Sequence, residues 1–391
     1  MAVAWGACPE NVNARQTARS LKRGEDPLKR FRSPEPLPVP LVSAEAAWRL
    51  TLPVAPSAGG AMDERHVYIP LRDTGIVALD RERGQQAWFR PIATAFPPVV
   101  DGGTVYIATS AGLEAIDAET GADRWTLPLD RTIIAPLVLD TGWLIAIVEP
   151  NTILAFRASD AALIWRATLG ATPAFPPVPG GDAALYITRT DGRVVAFALA
   201  DGTRLWERAL PGTLSEPAAG PDRVFVGSTD NSFTALDADT GEIEWRWSRG
   251  GGDVIGAAVD GNVVYFASLD NILRAVNQDN GNQRWKKETG TRPVMPPRAF
   301  GGIVIVPGLT PAMAVFVGKT GAVMGSHVAA GNLIGPPLVD PEPKAFRVTF
   351  VTITREGVVE ASRSVGLLFR EPAVAAFPAL PGRGLARERL D

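Results

Sequence analysis

The chain has 391 residues, 46% of them apolar and 21% charged, with 39 Gly, 34 Pro and a formal net charge of −3. That charge balance gives no reason to expect nucleic-acid binding, which normally needs a concentrated basic face. A single cysteine, Cys8, excludes an internal disulfide, a four-cysteine zinc site and an iron–sulfur cluster within one chain, and no run of 18 or more apolar residues offers a membrane-spanning helix.

Residues 1–45 are read as a leader. Arg15, Arg19, Lys22, Arg23, Lys29, Arg30 and Arg32 outnumber Glu10, Glu25, Asp26 and Glu35, the composition of a solvated, flexible tether, with attraction to an anionic surface as the lesser reading. The first ten residues hold neither a charged start nor a full hydrophobic stretch. Trp5-Gly6-Ala7-Cys8, followed by a polar, Pro-rich run, resembles the end of a bacterial lipoprotein signal, although Trp5 stands where such signals carry Leu. Cys8 is therefore a lipidation candidate, beside the plainer reading of an ordinary cysteine in a loose N-terminus.

From there on a repeat governs the chain. Tryptophan stands at 48, 88, 125, 165, 206, 245 and 285, at spacings of 40, 37, 40, 41, 39 and 40 residues, the period of a repeat architecture. Four residues before most of them a Gly closes a polar turn: Gly84, Gly121, Gly202, Gly241 and Gly281, with Gly321 continuing the series and Ala161 replacing Gly once. Gly accepts positive φ, and the Asp or Asn that opens the turn can bond its backbone N–H groups. Runs such as Val105 to Ala108 and Val263 to Phe266 precede each turn. They are β-branched and aromatic, of strand length and too Gly-punctuated for helices. Segments such as Phe96-Pro97-Pro98 and Gly335-Pro336-Pro337 follow each tryptophan and read as edge strands or strand starts, because proline cannot donate to a ladder.

Each period thus holds four strands, A to D. The expected fold is an all-β, eight-bladed propeller of four-stranded antiparallel blades over residues 46–363, with A strands near 58, 97, 136, 176, 217, 257, 297 and 337. The eighth blade lacks its outer strand, and Ala47 to Leu52 is expected to supply it and close the ring. Blade seven has Gly325 where tryptophan belongs, with Met324 filling part of the gap, and a weaker joint is expected there. Residues 364–391 form a Pro- and Arg-rich tail whose Leu367-Leu368-Phe369 cluster is expected to pack locally.

An apolar strand, then Leu-Asp-Ala-x-Thr-Gly, then x-x-x-Trp resembles the repeat of the pyrroloquinoline-quinone (PQQ) propeller superfamily. The resemblance implies that Trp48, Trp88, Trp125, Trp165, Trp206, Trp245 and Trp285 dock between blades. Two branches are relevant: quinoprotein dehydrogenases, and the propeller lipoprotein of the outer-membrane β-barrel assembly machinery. Dehydrogenases of that type are longer and present adjacent cysteines and a metal held by acidic and Asn side chains; this chain has no cysteine pair. The second branch is similar in size, has eight blades and carries a lipidated cysteine followed by a tether, the places that Cys8 and residues 9–45 would take.

No catalytic constellation emerges. His66 and His327 stand in different blades and are expected at loops or on the surface. Gly318-Lys319-Thr320 lacks the Gly that a phosphate loop needs, since Met313 holds that place. Gly250-Gly251-Gly252-Asp253 reads as a connection rather than an anion nest. Candidates at the mouth of the central channel are Glu216, Asp253 and Arg298. The reading is a non-catalytic, monomeric scaffold of the cell envelope, on its periplasmic side, binding protein partners such as barrel-assembly components or unfolded β-rich clients, and touching membrane only through a lipid anchor. No cofactor or resident metal is expected. The alternatives are a small oxidoreductase using PQQ with calcium, and a ligand- or carbohydrate-binding sensor using the funnel.

Overall fold

A computed structural model describes residues 44–180, 183–248, 250–309, 312–342 and 347–364. These residues form eight antiparallel sheets of four strands and no helix. Blades one to seven occupy residues 61–90, 99–128, 138–168, 178–209, 218–247, 254–288 and 298–328, each a simple A-B-C-D meander. Blade eight takes its A, B and C strands from Leu338–Glu342, Arg347–Ile353 and Val358–Ser364, and its D strand from Ala44–Thr51 at the other end of the chain.

That outer strand pairs antiparallel with Val358–Ser364, from Ala44 opposite Ser364 to Thr51 opposite Val358, with a bulge between Ala46 and Trp48. At the inner end of the same seam, a Cβ placed on Gly335 would stand 3.0 Å from the Cα of Gly59. The ring is closed between its last and first blades.

The A strands of successive blades touch one another and so line the axis; the D strands are the outer edges. Proline sets the length of the inner strands. Pro-Pro or Pro-Leu pairs stand just before the inner ladder in most blades, and there the A strands begin later than the prolines, at Val99, Val138, Val178 and Arg298, and pair over only three residues. Blade six has no proline in this stretch, so every residue can donate, and its A strand runs over seven residues, Val254–Asp260.

The core lies between blades rather than within them. Cluster after cluster of buried side chains straddles a seam: Tyr68, Ile76 and Trp88 of blade one with Val105 and Ile116 of blade two, or Ile145 and Trp165 of blade three with Leu185 and Phe197 of blade four. Each sheet buries both faces, which is why the B and C strands are nearly continuously apolar instead of alternating.

Candidate functional site

The repeated geometry of the turns is visible in their hydrogen bonds. Asp80, Asp117 and Asp237 each accept two backbone N–H bonds from the residues two and three positions on. Arg124 and Thr120 bonded to Asp117 hold its carboxyl down at about 2. The glycines that end the turns, Gly84, Gly121, Gly202, Gly241, Gly281 and Gly321, have φ between +65° and +74°. Each lies under the indole of the preceding blade's tryptophan, so that an added Cβ would stand 2.4–2.9 Å from its ring.

The indole N–H groups complete the joint. Trp48 donates to the carbonyl of Arg81, Trp88 to Ala118, Trp125 to Ala158, Trp165 to Leu199, Trp206 to Ala238, Trp245 to Gln278 and Trp285 to Gly318, all at 2.7–3.1 Å. Every acceptor belongs to the next blade around the ring. At blade three the turn residue is Ala161, which takes φ 58° despite its Cβ.

The seam between blades seven and eight is built differently. Gly325 stands in the tryptophan position, opposite Val315. The C strand of blade eight takes its outer strand from residues 44–51, and among the described residues no glycine-closed C–D turn of that blade faces Gly325. Met324 packs instead into a small cluster with Met313, Ile303, Ile305 and Phe350.

Both histidines depart from the loop or surface expectation. His66 opens a B strand and is 6% exposed, beside Tyr68, whose hydroxyl donates to Asp63 at 2.6 Å. His327 lies in the D strand of blade seven with its ring edge-on to Phe350 at 4.8 Å. Its Nε2 is 3.9 Å from Glu360 Oε1 and has no hydrogen-bond partner. Two-sided packing of the blades buries positions that would face water in an ordinary sheet.

At the channel the structure brings two of three candidates into electrostatic reach. Glu216 stands just before the A strand of blade five, and burial pushes its carboxyl pKa up while Arg298 opposes that rise. Arg298 is exposed at the start of blade seven's A strand. Asp253 precedes the A strand of blade six and engages through its backbone carbonyl, which accepts from Leu269 N–H at 2.9 Å. Cys8 lies outside the described residues. Among those residues no three His, Cys, Asp or Glu side chains converge.

The outer rim carries features the repeat alone did not announce. Leu163 and Ile164 in blade three, Leu205 in blade four and Ile243 in blade five are each 41–51% exposed on the D strands of three consecutive blades. Trp247 sits two residues past Trp245, outside the tryptophan register, and carries the guanidinium of Arg274 over its ring at 4.9 Å. Its signal in sequence was that same displacement from the period.

A family model described as outer membrane protein assembly factor BamB matches residues 72–214 and 190–352. The chain belongs to this family. Within the BamB family it is 31% identical over 217 residues to the protein of that name from Burkholderia pseudomallei, covering 52% of this chain and 55% of the relative. To the one from Yersinia pestis it is 29% identical over 212 residues, covering 49% and 53%. The chain thus spans about half the length of these curated relatives. The crystal structure of BamB from Moraxella catarrhalis superposes with a TM-score of 0.59 at 18% identity, over 82% of this chain and 97% of that one, a likeness of fold.

Proposed function

We propose that this BamB-family propeller is a non-catalytic scaffold that binds protein partners on the periplasmic side of the cell envelope, in the assembly of outer-membrane proteins. The family match across residues 72–352 carries the reading. The architecture suits it: seams pinned by indole–carbonyl bonds make a rigid ring, and rigid surfaces bind without an ordering cost.

The D strands give that ring a way to hold extended chains. They are the outermost strands of their sheets, and an open edge can accept a peptide strand through main-chain hydrogen bonds, with alternate side chains adding selectivity. Leu163, Ile164, Leu205 and Ile243 add exposed apolar surface where edge strands are more often blunted by charge. In this proposal Cys8 carries a lipid anchor, residues 9–43 act as the tether, and the propeller works as a monomer.

Affinity purification of the tagged protein from envelope extracts of its native host tests the proposal. Barrel-assembly components should copurify; a set of exclusively cytosolic partners would contradict it.

A further inference from the structure

The seam between blades five and six opens outward into a groove of about 510 Å³. Its walls include Trp247, Arg274, Asn280, Asn282, Gln283 and Lys286, and no Asp or Glu lines it. In a chain of net charge −3, this is a surface with amide donors and cations and no competing carboxylate.

The wall is held in place before any ligand arrives. Arg274 is almost fully buried and donates to Ser268 Oγ at 2.6 Å and to both carboxylate oxygens of Asp270. So fixed, it lies over Trp247, which also meets Phe266 edge-on at 5.2 Å. The other blades carry Leu50, Arg90, Leu127, Ala167, Arg208, Lys287 and His327 at the position of Trp247, so the repeat does not require a tryptophan there. Asp270 matches the charge of Arg274. Lys286 is exposed, stands opposite Arg274 on the paired strand and has no acidic partner among the described residues.

We propose that this groove docks an acidic, extended segment of a protein partner. The segment lies along the open edge of the outer strand Gln283–Glu288 and directs alternate carboxylates to Lys286 and the neighbouring amides. In an extended strand, side chains on one face recur about every 6.6 Å, so successive acidic residues fit along one groove. Lysine on an open edge also discourages pairing with like strands. That role leaves the clamped Trp247 and the carboxylate-free lining without a purpose, which the docking assignment supplies. The assignment rests on the partner-binding reading above and narrows it to one surface and one ligand chemistry.

The test uses a fluorescent peptide of about eight residues, a typical strand length, alternating Glu and Val, with a Lys–Val counterpart, titrated against the full chain by anisotropy. Saturable binding of the acidic peptide alone is expected. Lys286→Glu should weaken it at least about tenfold, the scale of one lost charge-assisted hydrogen bond, while Lys319→Glu, the same charge change on the blade-seven turn, leaves it unaltered. Hydrogen exchange of the Gln283–Glu288 amides should slow on binding. No saturable binding, equal binding of the Lys peptide, equal loss in Lys319→Glu, or unprotected amides would each overturn the assignment. A wild-type chain that still retrieves envelope partners yet ignores the acidic peptide overturns the groove and leaves the scaffold reading standing.

Discussion

Gly84 lies so close beneath the indole of Trp48 that a Cβ on it would stand 2.5 Å from ring atom Cε3. The two face each other across the closing seam, Trp48 on the outer strand of blade eight and Gly84 in blade one, and the same indole donates to Arg81 O at 2.7 Å. Gly84→Ala must therefore bear both a positive φ of 69° and an overpacked seam. A loss of about 2–4 kcal/mol is expected. Ala161→Gly is the reverse experiment, since that alanine already sits at φ 58°; it should change stability by under about 1 kcal/mol. Urea unfolding of both variants checks the contrast, and equal effects would mean that the stack under the indole is not what the glycine serves.

Closure also depends on a buried carboxylate. Glu360 is 5% exposed in the C strand of blade eight and accepts from Arg49 Nε of the closing strand at 2.7 Å. Arg49→Met removes a charge-assisted bond to that buried carboxylate from a largely exposed guanidinium and should cost about 1–3 kcal/mol. Adding Glu360→Gln should recover much of the loss. Thermal melts of the single and double variants measure the recovery.

Blade seven allows a pH prediction. Burial holds the pKa of His327 below its ordinary value; Glu360 opposes the shift and Arg49 reinforces it. The folded chain thus binds this proton less readily than the unfolded one. The stability involved is complete above about pH 6.5, the free histidine value, and is lost as pH falls through the lowered folded value. His327→Gln should flatten the decline of Tm between neutral pH and pH 5, and an unchanged slope would refute the assignment to this residue.

Restoring the repeat at Gly325 should fail. Gly325 has φ 151°, and among the described residues the next blade presents no turn glycine to receive an indole. Gly325→Trp is expected to lower Tm, whereas the same residue type at 285 is bonded to Gly318 at 2.8 Å. A raised Tm would show that the seam has room for the missing tryptophan.

The ring was legible because one physical joint recurs. Tryptophan and turn glycine stand at fixed offsets in the chain, so their period discloses blades, seams and the closing strand together. The closing strand was read as Ala47 to Leu52 and runs over Ala44–Thr51. What stayed hidden depends on neighbours made only by closure or packing: Arg49 and Glu360 are 311 residues apart, and His327 meets Glu360 across a seam. Trp247 was visible as an off-register aromatic, but its clamp by Arg274 depends on a partner strand 27 positions away. Of the channel candidates, Glu216 and Arg298 shared only a position relative to their A strands, and the pull of Arg298 on Glu216 across blade six follows from the curvature of the ring.

The most direct test of the scaffold account is quantitative proteomics of outer membranes from the native host after depletion of this protein. Lower levels of β-barrel proteins are predicted, restored by the wild-type chain and not by a chain lacking the closing strand, residues 44–51. An outer-membrane proteome unchanged by depletion would contradict it.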